Sequence, residues 1–225
     1  LSGTGLLGGE GTVIGNVTNS GGLLAPGTSA GTLTVQGRLQ QSSGTYEVEI
    51  DGDNNDLVQV EQGTATLGGT LDVIGLSKLT PIKEHTLTIL TSTSGVSGAF
   101  AGTPAIRDGQ GAGHVGRGIF FEGVNVNAND VTINVFQALD GDTDGDIDVD
   151  ISDFNTLVQN FDPTGRNENN WLVADFDGDK DVDITDFNSI AGNFAPTGYG
   201  ATSVVPEPST VLLFLFGLVV IFILV

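Results

Sequence analysis

The sequence predicts a mainly β protein with a small α-helical region near its carboxyl end, and three observations favour this fold class. Glycine contributes 34 of the 225 residues, about twice its usual share. Short segments that alternate apolar and polar residues recur as far as residue 136, and this period of two is typical of half-buried strands. Fifteen acidic residues then lie between Asp140 and Asp186, against two basic ones. Because the composition changes near residue 140, we expect one domain over residues 1–139 and another over 140–199.

The first domain contains clear strand patterns at 32–35, 45–50, 70–74 and 131–136. Glycine recurs between such segments, where turns need positive φ. The similar pieces 31–37 (GTLTVQG) and 69–75 (GTLDVIG) indicate stacked coils. Together with 24–35, 65–73, 86–91 and 98–100, they make residues 11–100 resemble the end of an autotransporter-type passenger. That resemblance implies the end of a right-handed parallel β-helix with a hairpin cap; a β-sandwich is the alternative.

The second domain contains an internal repeat. Residues 142–165 align with 175–198 at an offset of 33, with 16 of 24 positions identical. Each unit consists of an acidic loop, a predicted amphipathic helix and Pro-Thr-Gly. The apolar faces of the two helices are Ile151, Phe154, Leu157, Val158 and Phe161, and Ile184, Phe187, Ile190, Ala191 and Phe194. We expect these faces to pack together and Pro163 and Pro196 to end the helices.

The acidic loops have the spacing of calcium ligands. An EF-hand-like loop provides oxygens from positions 1, 3, 5, 7, 9 and 12, position 7 through its carbonyl. The predicted metal residues are Asp142, Asp144, Asp146, Asp148, Asp150 and Asp153 in one loop and Asp175, Asp177, Asp179, Asp181, Asp183 and Asp186 in the other. Such an all-oxygen set favours two Ca²⁺ ions over Zn²⁺. Position 8, Val149 or Val182, is expected to hold the paired loops together.

Position 6 of each loop departs from the usual pattern. Ile147 and Lys180 stand where a glycine normally allows the sharp turn, and positive φ at such residues costs about 1 kcal/mol. Otherwise the loops, helices and spacing of residues 140–199 resemble a type I dockerin, which also has Asp at position 12. The resemblance implies a cohesin-like partner, selected by residues early in each helix, here Ile151, Ser152, Ile184 and Thr185. An intramolecular clamp against the tail is the alternative role.

Residues 200–225 form a third segment. The motif Val205-Pro206-Glu207-Pro208-Ser209-Thr210 precedes an uncharged apolar run and resembles the PEP-CTERM sorting signal, without its basic cluster. The resemblance implies a C-terminal hydrophobic helix that enters the inner membrane transiently and an exosortase-type protease that cuts near Pro206, Glu207 and Pro208. It also implies export to the surface or exopolysaccharide matrix of a Gram-negative bacterium. The first residue is not Met and no signal peptide is visible, so we expect a fragment with a truncated tail.

Charge and composition limit the partners and metal sites that the protein can have. A formal net charge of -21 disfavours any nucleic acid partner, and the absence of cysteine excludes disulfides and thiolate metal sites. The prediction is a non-catalytic, secreted or cell-surface structural or adhesive protein with a calcium-dependent interaction module. The alternative is the C-terminal fragment of a dockerin-bearing secreted glycoside hydrolase that acts on polysaccharide.

Overall fold

The fold is that of a computed structural model, which describes residues 1–80, 82–101, 105–106 (backbone only), 116–167 and 169–199. These residues are mainly β, as the sequence predicts. The strands are, in chain order, β1 (Leu6–Gly9), β2 (Gly11–Ile14), β3 (Val17–Pro26), β4 (Thr32–Gln36), β5 (Leu39–Asp51), β6 (Asn54–Asn55), β7 (Leu57–Val60), β8 (Ala65–Leu67), β9 (Thr70–Gly75), β10 (Glu84–Ser92), β11 (Val96–Gly98), β12 (Ala105–Ile106), β13 (Ile119–Val126) and β14 (Asp130–Gln137). The helices are α1 (Ile151–Asn160) and α2 (Ile184–Asn193), with a 3-10 turn at Trp171–Val173.

The strands form two sheets, and the chain passes repeatedly from one to the other. An eight-stranded sheet has the path β1-β3-β5-β8-β11, with β6, β9 and β12 attached beside it. A six-stranded sheet has the order β13-β14-β10-β7-β4-β2. Pairing is parallel along β1-β3-β5 and along β2-β4-β7-β10. The hairpin β13–β14 is antiparallel and joins β10 at one end of the second sheet.

The interior of the β region (residues 1–139) is filled by the alternating apolar residues of these strands. In β4, Leu33 and Val35 are buried, and in β5 Tyr46, Val48 and Ile50 are buried. The hydroxyl of Tyr46 donates a hydrogen bond to the carbonyl of Ile89. The period-two pattern therefore identified the inward side of both strands correctly.

Glycines stack along the first sheet, within β3 at Gly22, within β5 at Gly44 and immediately before β9 at Gly69. Gly22, Gly44 and Gly69 lie above one another, and a Cβ added at Gly44 or Gly69 would overlap the carbonyl oxygen of the preceding glycine in this column. Gly44 also has a φ of 81°, a conformation in which a Cβ is unfavourable. The close approach of neighbouring chain segments at this point thus depends on the absence of side chains.

The helical region (residues 140–199) has an apolar core of its own. Its buried members include Val149, Leu157, Trp171, Val182 and Ile190. Two residues that precede the predicted boundary at residue 140, Phe136 and Ala138, pack with this second cluster. The carboxyl end of β14 thereby contributes to the core of the helical region.

Only part of each predicted helix face is buried. Phe154 of α1 contacts Phe187 of α2 edge to face, with ring centroids 6.2 Å apart, and Leu157 and Ile190 are buried. The other large apolar residues of these faces are mostly exposed, namely Ile151, Val158, Phe161, Ile184 and Phe194. The helices end at Asn160 and Asn193, three residues before the two prolines. The expected helix stops are confirmed, whereas the expected burial holds only for the middle of each face.

The predicted sorting segment, with its C-terminal hydrophobic helix, lies outside the described residues. Within the described part of the chain, no helix is long and apolar enough to span a membrane.

Candidate metal centres

Carboxylates converge in both acidic loops. In the first loop (residues 142–153), ligand oxygens of Asp142, Asp144 and Asp153 lie within 4.8 Å of one another, and so do those of Asp148, Asp150 and Asp153. Asp153 belongs to both groups, so the two triads share one residue. The position-12 carboxylate is therefore the centre of the loop.

The second loop (residues 175–186) repeats this arrangement. Its triads are Asp175, Asp177 and Asp186, and Asp181, Asp183 and Asp186, within the same 4.8 Å limit. Ten of the twelve predicted metal residues thus take part in a cluster. The two others, Asp146 and Asp179 at position 5, are exposed and accept the backbone N–H groups of Asp148 and Asp181. The side chains of Asp148 and Asp181 converge with the clusters, although the spacing suggested that position 7 acts through its carbonyl.

The first turn of each helix holds the shared carboxylate in place. Asp153 accepts the N–H of Thr143 at 2.7 Å and that of Asp150 at 2.8 Å, and Asp150 caps the helix by accepting the N–H of Ser152. Asp150 and Asp153 form a capping box, as Asp183 and Asp186 do in α2. The positive end of each helix dipole also favours negative charge at these positions.

Position 1 is the most enclosed carboxylate of the first loop. Asp142 is fully buried, and its oxygens accept the N–H groups of Gly145 at 2.6 Å and Ile147 at 3.2 Å. The hydroxyl of Tyr199 donates to its Oδ2 at 2.5 Å, and the indole N–H of Trp171 donates to its carbonyl at 2.7 Å. Sequence reasoning missed both aromatic partners, because Tyr199 and Trp171 lie outside the loop and no spacing rule connects them to it.

The clusters carry uncompensated negative charge. Burial raises the pKa of Asp142 to about 6, against the lowering effect of its hydrogen bonds. Desolvation and then the neighbouring carboxylates raise the pKa of Asp148 and of Asp181. The Oδ1 atoms of these two residues are out of contact with solvent and accept no hydrogen bond from the described residues. Buried oxygens without partners, in groups of three carboxylates, fit a bound cation.

The chemistry of the donors indicates which cation fits. All converging atoms are carboxylate oxygens, the ligands that hard cations such as Ca²⁺ and Mg²⁺ prefer. Ca²⁺ accepts six to eight oxygens in flexible geometry, so a loop with five converging carboxylates suits it. The residues present therefore fit the predicted calcium ion in each loop.

Position 6 adopts the conformation that the loop pattern requires. Ile147 has a φ of 73° and Lys180 a φ of 76°, so both non-glycine residues are left-handed, as the sequence predicts. Gly145 and Gly178, at position 4, also have positive φ. The loops therefore keep their path at the expense of backbone strain at two residues.

The position-8 valines are buried, and their backbones form bridges with residues other than each other. Val149 forms an antiparallel bridge with Ala195, and Val182 forms one with Asp162. Each valine thus pairs with the second residue after the helix of the other repeat. The two halves are held together by exchanged backbone hydrogen bonds.

The predicted partner-binding residues lie on the surface. Ile151 and Ile184 are 60% and 62% exposed, and Ser152 and Thr185 beside them are exposed as well. A groove of about 410 Å³ runs between the helices nearby, lined by Phe154, Leu157, Val158, Phe161, Ile184 and Phe187. The predicted sorting residues Pro206, Glu207 and Pro208 lie outside the described residues.

Comparison of the chain with protein-family models, with curated proteins and with solved structures gave no match. The geometry of the loops and the resemblances carried by the sequence are therefore the basis for inferring function.

Proposed function

We propose that the chain is part of a non-catalytic, exported structural or adhesive protein whose helical region is a calcium-dependent, dockerin-like interaction module. The observation that carries the proposal is the duplicated loop, in which two triads of carboxylates share one aspartate at the start of a helix. The buried, unpartnered oxygens of Asp148 and Asp181 support a cation in each loop.

The β region is proposed to be the end of a parallel β-helix that acts as a stalk. Parallel pairing along β1-β3-β5 and β2-β4-β7-β10, with a chain that passes from one sheet to the other, supports this fold over a β-sandwich, whose sheets are antiparallel. The stacked glycines support coils of similar size. The antiparallel hairpin β13–β14, which joins β10 at one end of the second sheet, is proposed to be the expected hairpin cap.

The partner is proposed to be a cohesin-like protein that docks on exposed residues early in the two helices. Exposure of Ile151 and Ile184, next to an apolar groove, supports an interaction surface at this place. Export, processing by an exosortase-type protease and residence in an exopolysaccharide matrix rest on the resemblance of residues 205–225 alone.

Calcium titration of the 225-residue chain tests the central step. After treatment with a chelator, calorimetry and far-UV circular dichroism should show two Ca²⁺ ions bound per chain with a gain of helical signal. Dissociation constants between about nanomolar and millimolar are expected for such sites. Metal binding is expected to stabilise the helical region because the carboxylates repel one another without a cation.

Single-loop variants provide matched controls. Asp144 and Asp177 are exposed and each belongs to one triad, so Asp144→Ala and Asp177→Ala should each reduce the stoichiometry to one ion without unfolding the chain. Mg²⁺ at the same concentrations should give a weaker response. Absence of any heat or spectral change up to millimolar Ca²⁺ in the unmodified chain would refute the calcium sites.

A further inference from the structure

We infer that metal binding in the first loop is coupled to docking of the helical region on the β region, so that β-region residues set the affinity of this loop without ligating the metal. The inference rests on the proposed calcium binding and adds to it a dependence on the rest of the fold. It concerns the first loop only.

The first loop is held from outside by two aromatic residues. Trp171 and Tyr199 fix the carbonyl and the carboxylate of Asp142, at 2.7 and 2.5 Å. The hydroxyl of Tyr199 also accepts the N–H of Leu139 at 3.1 Å, which links Asp142 to the segment that leaves β14. A shift of Trp171 or Tyr199 would therefore move the carboxylate at position 1.

Trp171 is in turn packed against the β region. Its six-membered ring covers Gly118, where an added Cβ would lie 2.6 Å from a ring carbon. The ammonium group of Lys78 lies 5.1 Å from the ring centroid and forms an ion pair with Asp140 at 2.7 Å. Lys78 thus contacts both the tryptophan and the residue that begins the acidic segment.

Phe120 of β13 contacts the first loop directly. Its ring lies over Gly145, where an added Cβ would be 2.9 Å from three ring carbons. Gly145 also donates its N–H to Asp142 at 2.6 Å. The Phe120 ring therefore packs on the turn that orients the Asp142 carboxylate.

The second loop faces the β region differently, although the repeats are closely similar. Asp175, the equivalent of Asp142, accepts the N–H groups of Gly178 and Lys180, and the residue equivalent to Tyr199 at the 33-residue offset is Arg166. A cavity of about 290 Å³, lined partly by Arg117, Asp175 and Gly178, lies between this loop and the β region. Arg117 of the β region also lies against Gly178, where an added Cβ would overlap a guanidinium nitrogen. The β region therefore contacts the first loop through an aromatic ring and the second through a charged group.

Metal binding and docking on the β region are coupled because both act on the first loop. Both favour the same conformation of the first loop, so either one reduces the entropy that the other must remove. Thermodynamic linkage requires the effect to be reciprocal: docking strengthens metal binding by the same factor as metal strengthens docking. Couplings of this kind commonly amount to about 5- to 150-fold in affinity.

The test measures Ca²⁺ affinity in full chains that keep a single loop. In the Asp177→Ala chain, which retains the first loop, adding Phe120→Ala should weaken Ca²⁺ binding about tenfold. In the Asp144→Ala chain, which retains the second loop, the same change should alter the affinity less than about twofold. Phe121→Ala is the matched control, because Phe121 is the next residue of β13 and packs in the other apolar cluster; it should leave both affinities within about twofold.

Hydrogen exchange provides the reciprocal measurement and does not depend on the variants. Ca²⁺ should slow exchange at the amides of Leu79 and Ala138, which donate to the Gln137 side chain and to the Gly118 carbonyl. Equal Ca²⁺ affinity with and without Phe120, or unchanged exchange at both amides, would overturn the coupling while leaving calcium binding intact. Failure of the unmodified chain to bind Ca²⁺ would instead refute the proposed function.

Discussion

At the scale of single residues, position 6 of each loop shows how a strained backbone is retained. Ile147 and Lys180 have φ values of 73° and 76°, which are uncommon for residues with a Cβ and most unfavourable for a β-branched one. Their N–H groups donate to Asp142 and Asp175. The hydrogen bonds of the position-1 carboxylate thus hold both residues in the left-handed conformation.

Replacing Ile147 with glycine should relieve this strain. Positive φ costs about 1–2 kcal/mol, and glycine loses about 0.5–1 kcal/mol through the greater freedom of the unfolded chain. We therefore expect Ile147→Gly to stabilise the Ca²⁺-saturated chain by up to about 1 kcal/mol, measured as a higher urea midpoint at unchanged slope. Ile14→Gly is the control, because Ile14 is exposed and lacks positive φ; it should destabilise. A lower midpoint for Ile147→Gly would contradict the strain argument.

At the scale of elements, the close pairing of strands in the first sheet depends on glycine as well as on apolar residues. Gly22, Gly44 and Gly69 stack so closely that a Cβ at Gly44 or Gly69 would overlap the carbonyl oxygen of the glycine before it in the column. This column of glycines follows the pairing of β3, β5 and β9. A side chain at this point would force neighbouring strands apart.

Gly44→Ala should accordingly be among the most destabilising single-methyl changes in the β region. The new Cβ meets backbone atoms, and the φ of 81° is unfavourable for alanine, so we expect a loss of more than about 2 kcal/mol. The matched change Gly123→Ala, where nothing lies within 4 Å of the added atom, should stay within about 0.5 kcal/mol. Chemical denaturation of both variants in Ca²⁺ measures the loss of unfolding free energy in each. Similar losses in the two variants would contradict the role of glycine stacking.

The sequence predicted individual elements better than their contacts. Period-two alternation located β4, β5, β9 and β14 because one face of each strand is buried, and Pro163 and Pro196 marked the helix stops because proline cannot continue a helix. The bridges from Val149 to Ala195 and from Val182 to Asp162 were not predicted. An apolar residue type indicates that a position is buried, but it does not indicate which backbone segment lies beside it. The hydrogen bond from Tyr199 to Asp142 spans 57 residues, and local spacing contains no information about it.

At the scale of the whole molecule, negative charge is the main unbalanced feature. The formal net charge is -21, and the only ion pair among the described residues joins Lys78 to Asp140. Self-repulsion of this kind destabilises a compact state. A cation in each loop would reduce it where the carboxylates are densest.

The salt dependence of thermal unfolding should therefore change with metal. In chelator, raising NaCl from about 10 to about 500 mM shortens the screening length several-fold and should raise the melting temperature by several degrees. With saturating Ca²⁺ the same change should have a clearly smaller effect, because the bound ions already offset part of the charge of each loop. Scanning calorimetry at matched pH measures both slopes, and equal slopes would show that the loop carboxylates do not dominate the repulsion.

The exchanged bridges between the repeats have a consequence for the origin of the helical region. Since Val149 pairs with Ala195 and Val182 with Asp162, neither half completes its own loop. A solitary unit of this kind would have needed a second molecule of itself to supply both bridges, as in a swapped homodimer. Two units in one chain make the encounter intramolecular and replace dependence on protein concentration by a fixed, high effective concentration. Units joined in this way can also differ in sequence, as Tyr199 and Arg166 do at matching positions.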